Sequence, residues 1–72
     1  MARALNPEKL LLSKWTAVVP QNRERHFLVS RLLRDEAERV VGCELEAVLT
    51  RRVQCLDWRA LQDEAVWQQG WR

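Results

Sequence analysis

Residues 35–50, Asp35-Glu36-Ala37-Glu38-Arg39-Val40-Val41-Gly42-Cys43-Glu44-Leu45-Glu46-Ala47-Val48-Leu49-Thr50, decide the fold because they satisfy two periods at once. Ala37, Val40, Val41, Leu45, Val48 and Leu49 recur at helical spacing behind Asp35 as a cap. Val41, Cys43, Leu45, Ala47 and Leu49 also alternate with Glu44 and Glu46, as in a half-buried strand. Period alone does not separate the two. Gly42 in mid-segment costs a helix about 1 kcal/mol, and a long helix here would leave the flanking strands short of partners. The segment is therefore read as a strand behind a polar break at residues 35–38.

Working outward, His26-Phe27-Leu28-Val29-Ser30-Arg31-Leu32-Leu33 has the length and apolar content of a central strand. Lys14-Trp15-Thr16-Ala17-Val18-Val19, ended by Pro20-Gln21-Asn22, reads as the first strand. Asn6 followed by Pro7 starts a short helical turn. On the C-terminal side, Thr50-Arg51-Arg52 is a hairpin turn and Val53 to Leu56 a fourth strand. Asp57 caps a helical turn through Leu61, Asp63 caps another through Gln68, and Gly70 is placed as a left-handed cap that folds Trp71 onto Val66 or Trp67. The expected architecture is mainly β: one domain over residues 1–72, a single small antiparallel meander or half-barrel of three to four strands, with short helical turns at both ends. Its expected core is Trp15, Ala17, Phe27, Val29, Leu33, Val41, Leu45, Ala47, Leu49, Leu56, Trp58, Leu61 and Trp67.

The chain has 72 residues, a size at which a core alone rarely supplies more than about 3–5 kcal/mol. Large side chains can make up that shortage, and the sequence holds four Trp, one Phe and no Tyr. Each packed Trp buries about 150–250 Å², of order 4–6 kcal/mol gross at ~25 cal/mol per Å². The tryptophans are accordingly read mainly as staples. The longest aliphatic run, Leu10-Leu11-Leu12, is too short for a signal-peptide core or a membrane span, so the expectation is a cytoplasmic protein that does not engage membranes. Two cysteines, Cys43 and Cys55, make no disulfide framework, and no tight-turn register sets them opposite each other.

The order of motifs resembles a small bacterial tryptophan-rich protein family of unknown function. It is carried by Ser13-Lys14-Trp15-Thr16-Ala17, His26-Phe27 with Val29, Glu44-Leu45-Glu46-Ala47, Trp58 with Leu61 and Asp63, and Trp67-Gln68-Gln69-Gly70-Trp71. The resemblance spans nearly the whole chain and implies a turn before the third segment, which favours its reading as a strand. It implies no activity.

Catalysis is not expected. One His and two Cys are the minimum for a nucleophilic pair, but hairpin pairing sets His26 near Leu49 and Thr50, away from Cys43; Cys55 stays open with no third group to orient it, so a thiol-dependent enzyme ranks last among the readings. No close Cys or His pairs of the zinc type occur, and no Gly-rich loop to hold phosphate, so neither metal nor cofactor is expected. Glu44 and Glu46 share one strand face, which suits pairing with Arg more than acid–base work. What stands out is Arg beside aromatic residues. Arg51, Arg52, Trp58, Arg59 and Trp71 form the candidate binding surface of a non-enzymatic interaction module. A protein or peptide partner ranks first. RNA or single-stranded DNA ranks second, because a formal net charge of +2, with 12 Lys+Arg against 10 Asp+Glu, gives little drive for phosphate binding.

Overall fold

The computed structural model describes residues 3–72 and contains five strands. They are β1 (Lys14–Gln21), β2 (Glu24–Arg34), β3 (Val40–Ala47), β4 (Val53–Asp57) and β5 (Trp67–Gln69). All neighbours run antiparallel in one open sheet of order β4-β3-β2-β1-β5. Two short 3-10 turns, Pro7–Lys9 and Trp58–Gln62, are the helical elements among the described residues. The mainly β expectation holds, and the ambiguous segment is strand. Glu44 and Glu46 sit on one face of β3, where they meet Arg31 at 3.9 Å and Arg51 at 3.0 Å. A helix would scatter those partners.

Both turns are capped as their sequences indicate. The Asn6 side chain accepts from the Glu8 N–H at 3.1 Å and the Asp57 side chain from the Arg59 N–H at 2.9 Å. After Asp63 the chain departs from expectation. Val66 and Trp67 N–H both bond to the Asp63 carbonyl, which makes one turn and no helix. The chain then extends, with Trp67 opposite Ala17 and Gln69 opposite Trp15. Burying the Trp67 ring against Phe27 is worth more than another turn of unsupported helix.

The core lies on one face of the sheet. Trp15, Phe27, Val29, Cys43, Leu45 and Ala47 point into it from β1–β3, and Leu10, Leu61 and Trp67 close over them from the connecting segments and β5. The Arg3 guanidinium lies 5.3 Å over the Trp15 ring and donates to the Trp67 carbonyl, tying the N-terminal segment across this lid. Three expected core residues belong elsewhere. Val41 is the extra residue of a β-bulge between the Leu33–Gly42 and Arg34–Val40 pairs, so it turns outward while Val40 is buried. Leu49 stands in the β3–β4 turn, 70% exposed. Leu33 shares the opposite face with Gly42 and is half-buried.

The sheet curls. A second bulge at Ser30 bends β2, and between the Thr16–His26 and Gln21–Glu24 pairs β1 leaves the β2 ladder. Pro20 lies in that stretch, where its missing N–H costs no ladder bond. The sheet stays open, with β4 and the segment before β5 reaching toward one another over its core side.

Candidate concave binding cleft

Curling leaves an open cleft of about 380 Å³ on the core side of the sheet. Phe27 and Trp67 contribute its aromatic part, edge to face with centroids 5.1 Å apart at 90°. Ala17, Val19, Ala65 and Val66 line it with apolar surface. The polar lining comes from Gln21, Glu24, Arg52 and Gln54. Thus β1 and β2 supply one wall, the start of β4 a second, and the segment entering β5 a third.

Glu24 organises the polar side. It is the first residue of β2, is only 4% exposed, and receives Arg52 side-on: Nε donates to Oε2 at 3.1 Å and Nη2 to Oε1. Thr50 Oγ1 donates to the same carboxylate. Hydrogen bonds from Arg52 first and Thr50 second outweigh partial burial and hold the Glu24 carboxyl at about 2, well below its ordinary 4.5. The same pairing raises the pKa of Arg52. Arg52 is fixed on one side of its guanidinium, and its side chain is still 63% exposed. That arrangement presents the remaining N–H groups at a set position instead of on a free tether.

Of the five residues picked out from sequence, Arg52 lines the cleft and Arg51 stands next to it in the β3–β4 turn, paired with Glu46. Trp58 and Arg59 lie past the other end of β4. Their guanidinium-on-ring contact is 5.0 Å, and Trp58 is half-buried against the core, its Nε1–H meeting no acceptor among the described residues. Trp71 is on the far face. Gly70, at φ 82°, turns the chain over the sheet edge, and the Trp71 Nε1–H donates to the Phe27 carbonyl at 2.9 Å while Lys14 Nζ lies 4.7 Å over its ring. The expected fold-back of Trp71 onto Val66 or Trp67 is replaced by this crossing. The five residues therefore occupy three places.

The thiols and the histidine are apart as well. Cys43 faces the core, fully buried, and that burial pushes its pKa up to about 11, with Asp57 and Cys55 adding to the rise. Cys55, opposite Glu44, points to the other face and is exposed. His26 Nε2 lies 2.9 Å from the Arg72 carbonyl, with its ring 6.1 Å from Trp71. Among the described residues no group of three or more His, Cys, Asp and Glu could hold a metal. No helix of the described residues is long and apolar enough to cross a membrane.

Glu24, Gln54, Val19 and Val66 were missed from sequence. The available signal was the two-residue turn at Asn22-Arg23, both at positive φ, which sets Gln21 opposite Glu24 and turns that one carboxylate inward between two outward Arg. A family model described as Tryptophan-rich protein (DUF2389) matches residues 13–72. No curated protein and no solved structure matches the chain.

Proposed function

Since the chain belongs to the tryptophan-rich protein family, whose description carries no activity, we propose from the geometry that it is a small non-enzymatic binding module. Its concave cleft takes an apolar side chain of a protein or peptide partner, together with a neighbouring polar or carboxylate group. The observation that carries this reading is the joining of an aromatic floor, Phe27 and Trp67, to a pre-positioned Arg52 in one opening of about 380 Å³. Pockets of this size and mixed lining are those that hold a ligand group and fix its orientation. Arg51 stands at the rim and would meet the same partner. Trp58, Arg59 and Trp71 serve the fold in this reading. A reducing, cytoplasmic setting goes with it, to which two free thiols are suited.

Nucleic acid is the less favoured partner. Base stacking needs open aromatic faces, and Arg59 and Lys14 already lie over the rings of Trp58 and Trp71.

The test is peptide display against the intact chain, followed by titration of the selected peptides under NMR. Amide shifts are expected at Ala17, Phe27, Gln54 and Trp67, with binding lost in Val66→Asp, a change at a half-exposed position that leaves the core alone. Shifts confined to the Trp71 face, or tight, salt-dependent binding of an oligonucleotide in preference to any peptide, would overturn the proposal.

A further inference from the structure

An open sheet has two edges, and this one protects a single edge. On the β1/β5 side the outermost strand is only three residues long, and β1 beyond it carries Pro20. Short strands and prolines are the usual means of preventing another chain from pairing there. The β4 side lacks both. Val53-Gln54-Cys55-Leu56-Asp57 has no proline, lysine or arginine, and Val53, Gln54 and Cys55 are exposed. The Ala47 N–H bonds to the Arg52 carbonyl at 2.9 Å, so the Arg52 backbone faces β3. By the alternation of an antiparallel ladder, Val53, Cys55 and Asp57 turn their N–H and C=O groups outward.

We propose that β4 pairs antiparallel with β4 of a second copy of this chain, continuing the sheet across a two-fold axis. Self-complementary charge identifies the occupant. Opposed side chains in such a pair share a face, so the axis must pass through a residue and not between two. With the axis at Gln54, Val53 stands opposite Cys55 of the second copy, and Arg51 comes beside Asp57 of the second copy, twice by symmetry. With the axis at Cys55, Val53 instead stands opposite Asp57 of the second copy, and Arg51 falls beyond the end of the second β4, so the directly opposed charges are lost. Charge therefore selects the Gln54 register. Because Arg52 and Gln54 line the cleft, this pairing would set two clefts side by side across the axis. The pairing itself stands whatever the cleft binds.

Sedimentation equilibrium over a wide concentration range is the first test, and a dimer is expected. Val53→Pro removes an outward N–H without touching the β3–β4 ladder, and should give a monomer with an unchanged far-ultraviolet spectrum. Arg51→Glu, at an exposed turn position where it also gives up the pair with Glu46, should weaken the dimer by about tenfold or more. Register is read by mild oxidation, in which two thiols give one disulfide and pass two electrons and two protons to added copper-phenanthroline and oxygen. Gln54→Cys in a Cys55→Ser background should cross-link, its paired Cα atoms lying about 4.5 Å apart. The wild-type Cys55 pair, displaced diagonally by about 7–8 Å, should not. A chain that stays monomeric at every concentration, a dimer indifferent to both Val53→Pro and Arg51→Glu, or cross-linking through Cys55 in preference to Gln54→Cys would overturn the proposal.

Discussion

The two faces of the sheet are built from the same strands and stabilised by different means. On the concave face, Trp15, Phe27, Val29, Cys43, Leu45 and Ala47 form a continuous apolar layer under Leu10, Leu61 and Trp67. On the other face the contacts are directional. Thr16 Oγ1 donates to the Gly70 carbonyl at 2.7 Å and accepts from the Arg72 N–H at 2.9 Å, Trp71 donates to the Phe27 carbonyl, and Arg31 meets Glu44. One face removes area from water and the other fixes where the chain lies. The tryptophans divide accordingly, Trp15 at 1% exposure and Trp71 at 44%. A count of tryptophans in the sequence treats these as equals, and the structure does not.

The largest effect should come from breaking the apolar face. Trp15→Ala is expected to cost about 3–5 kcal/mol, as large-to-small core changes do, which is comparable to the whole stability of a chain this short. Urea unfolding followed by circular dichroism would show a chain unfolded or nearly so in water. The opposite face has its own steric limit at Gly42, where an added Cβ would lie 2.8 Å from the Leu56 carbonyl oxygen. That atom is backbone in the adjacent strand and cannot swing aside. Gly42→Ala should cost about 1–3 kcal/mol, with NMR shift changes centred on the β3–β4 ladder. A cost near zero would mean that the edge strand moves freely.

The same division explains what could be read from sequence. The concave face has a period of two over three long strands, so Trp15, Phe27, Val29, Leu45 and Ala47 were legible as core, and Gly42 with the Glu44–Glu46 alternation identified a strand. A strand of three residues such as β5 is too short to show a period. Bulges at Ser30 and Val41 shift a register that pattern reading assumes constant, and so Val40 and Val41 exchange places. The cleft was hidden for a further reason. Its walls, Gln54 on β4 and Val66 before β5, come together only because the sheet curls, a property of the whole ladder and not of any motif.

Glu24 lies where the two regimes meet, a carboxylate on the buried side held by hydrogen bonds. Its carboxyl titrates at about 2 when folded, against an ordinary 4.5 for an unpaired group. A carboxyl lowered by folding contributes stability that is fully present above its unfolded pKa and lost as pH falls through its folded one. Its share of the stability should therefore hold above pH 4.5 and decline toward pH 2. Glu24→Gln should be less stable than the wild type at pH 7, and the gap should narrow over that window. A gap unchanged between pH 7 and pH 2.5 would show that the Arg52 pair does not favour the folded state.

The smallest effect is expected at Trp71. Its ring is 44% exposed, so truncation forfeits about half of what a fully packed Trp buries, together with one hydrogen bond to the Phe27 carbonyl and the Lys14 contact at 4.7 Å. At about 0.5–1.5 kcal/mol for the hydrogen bond and about 0.5–1 for an exposed cation–aromatic contact, partly offset by rehydration, the directional contacts should account for about 1 kcal/mol of what Trp71→Ala costs. Trp71→Phe separates the two, since it keeps a ring for Lys14 and removes the N–H. If the far face works by direction and not by area, Phe should recover less than half of the loss. The C-terminal segment should then exchange its amide hydrogens faster while β1–β3 stay protected. Full recovery by Phe would place both faces under the same rule, with Trp71 a fourth, weaker staple.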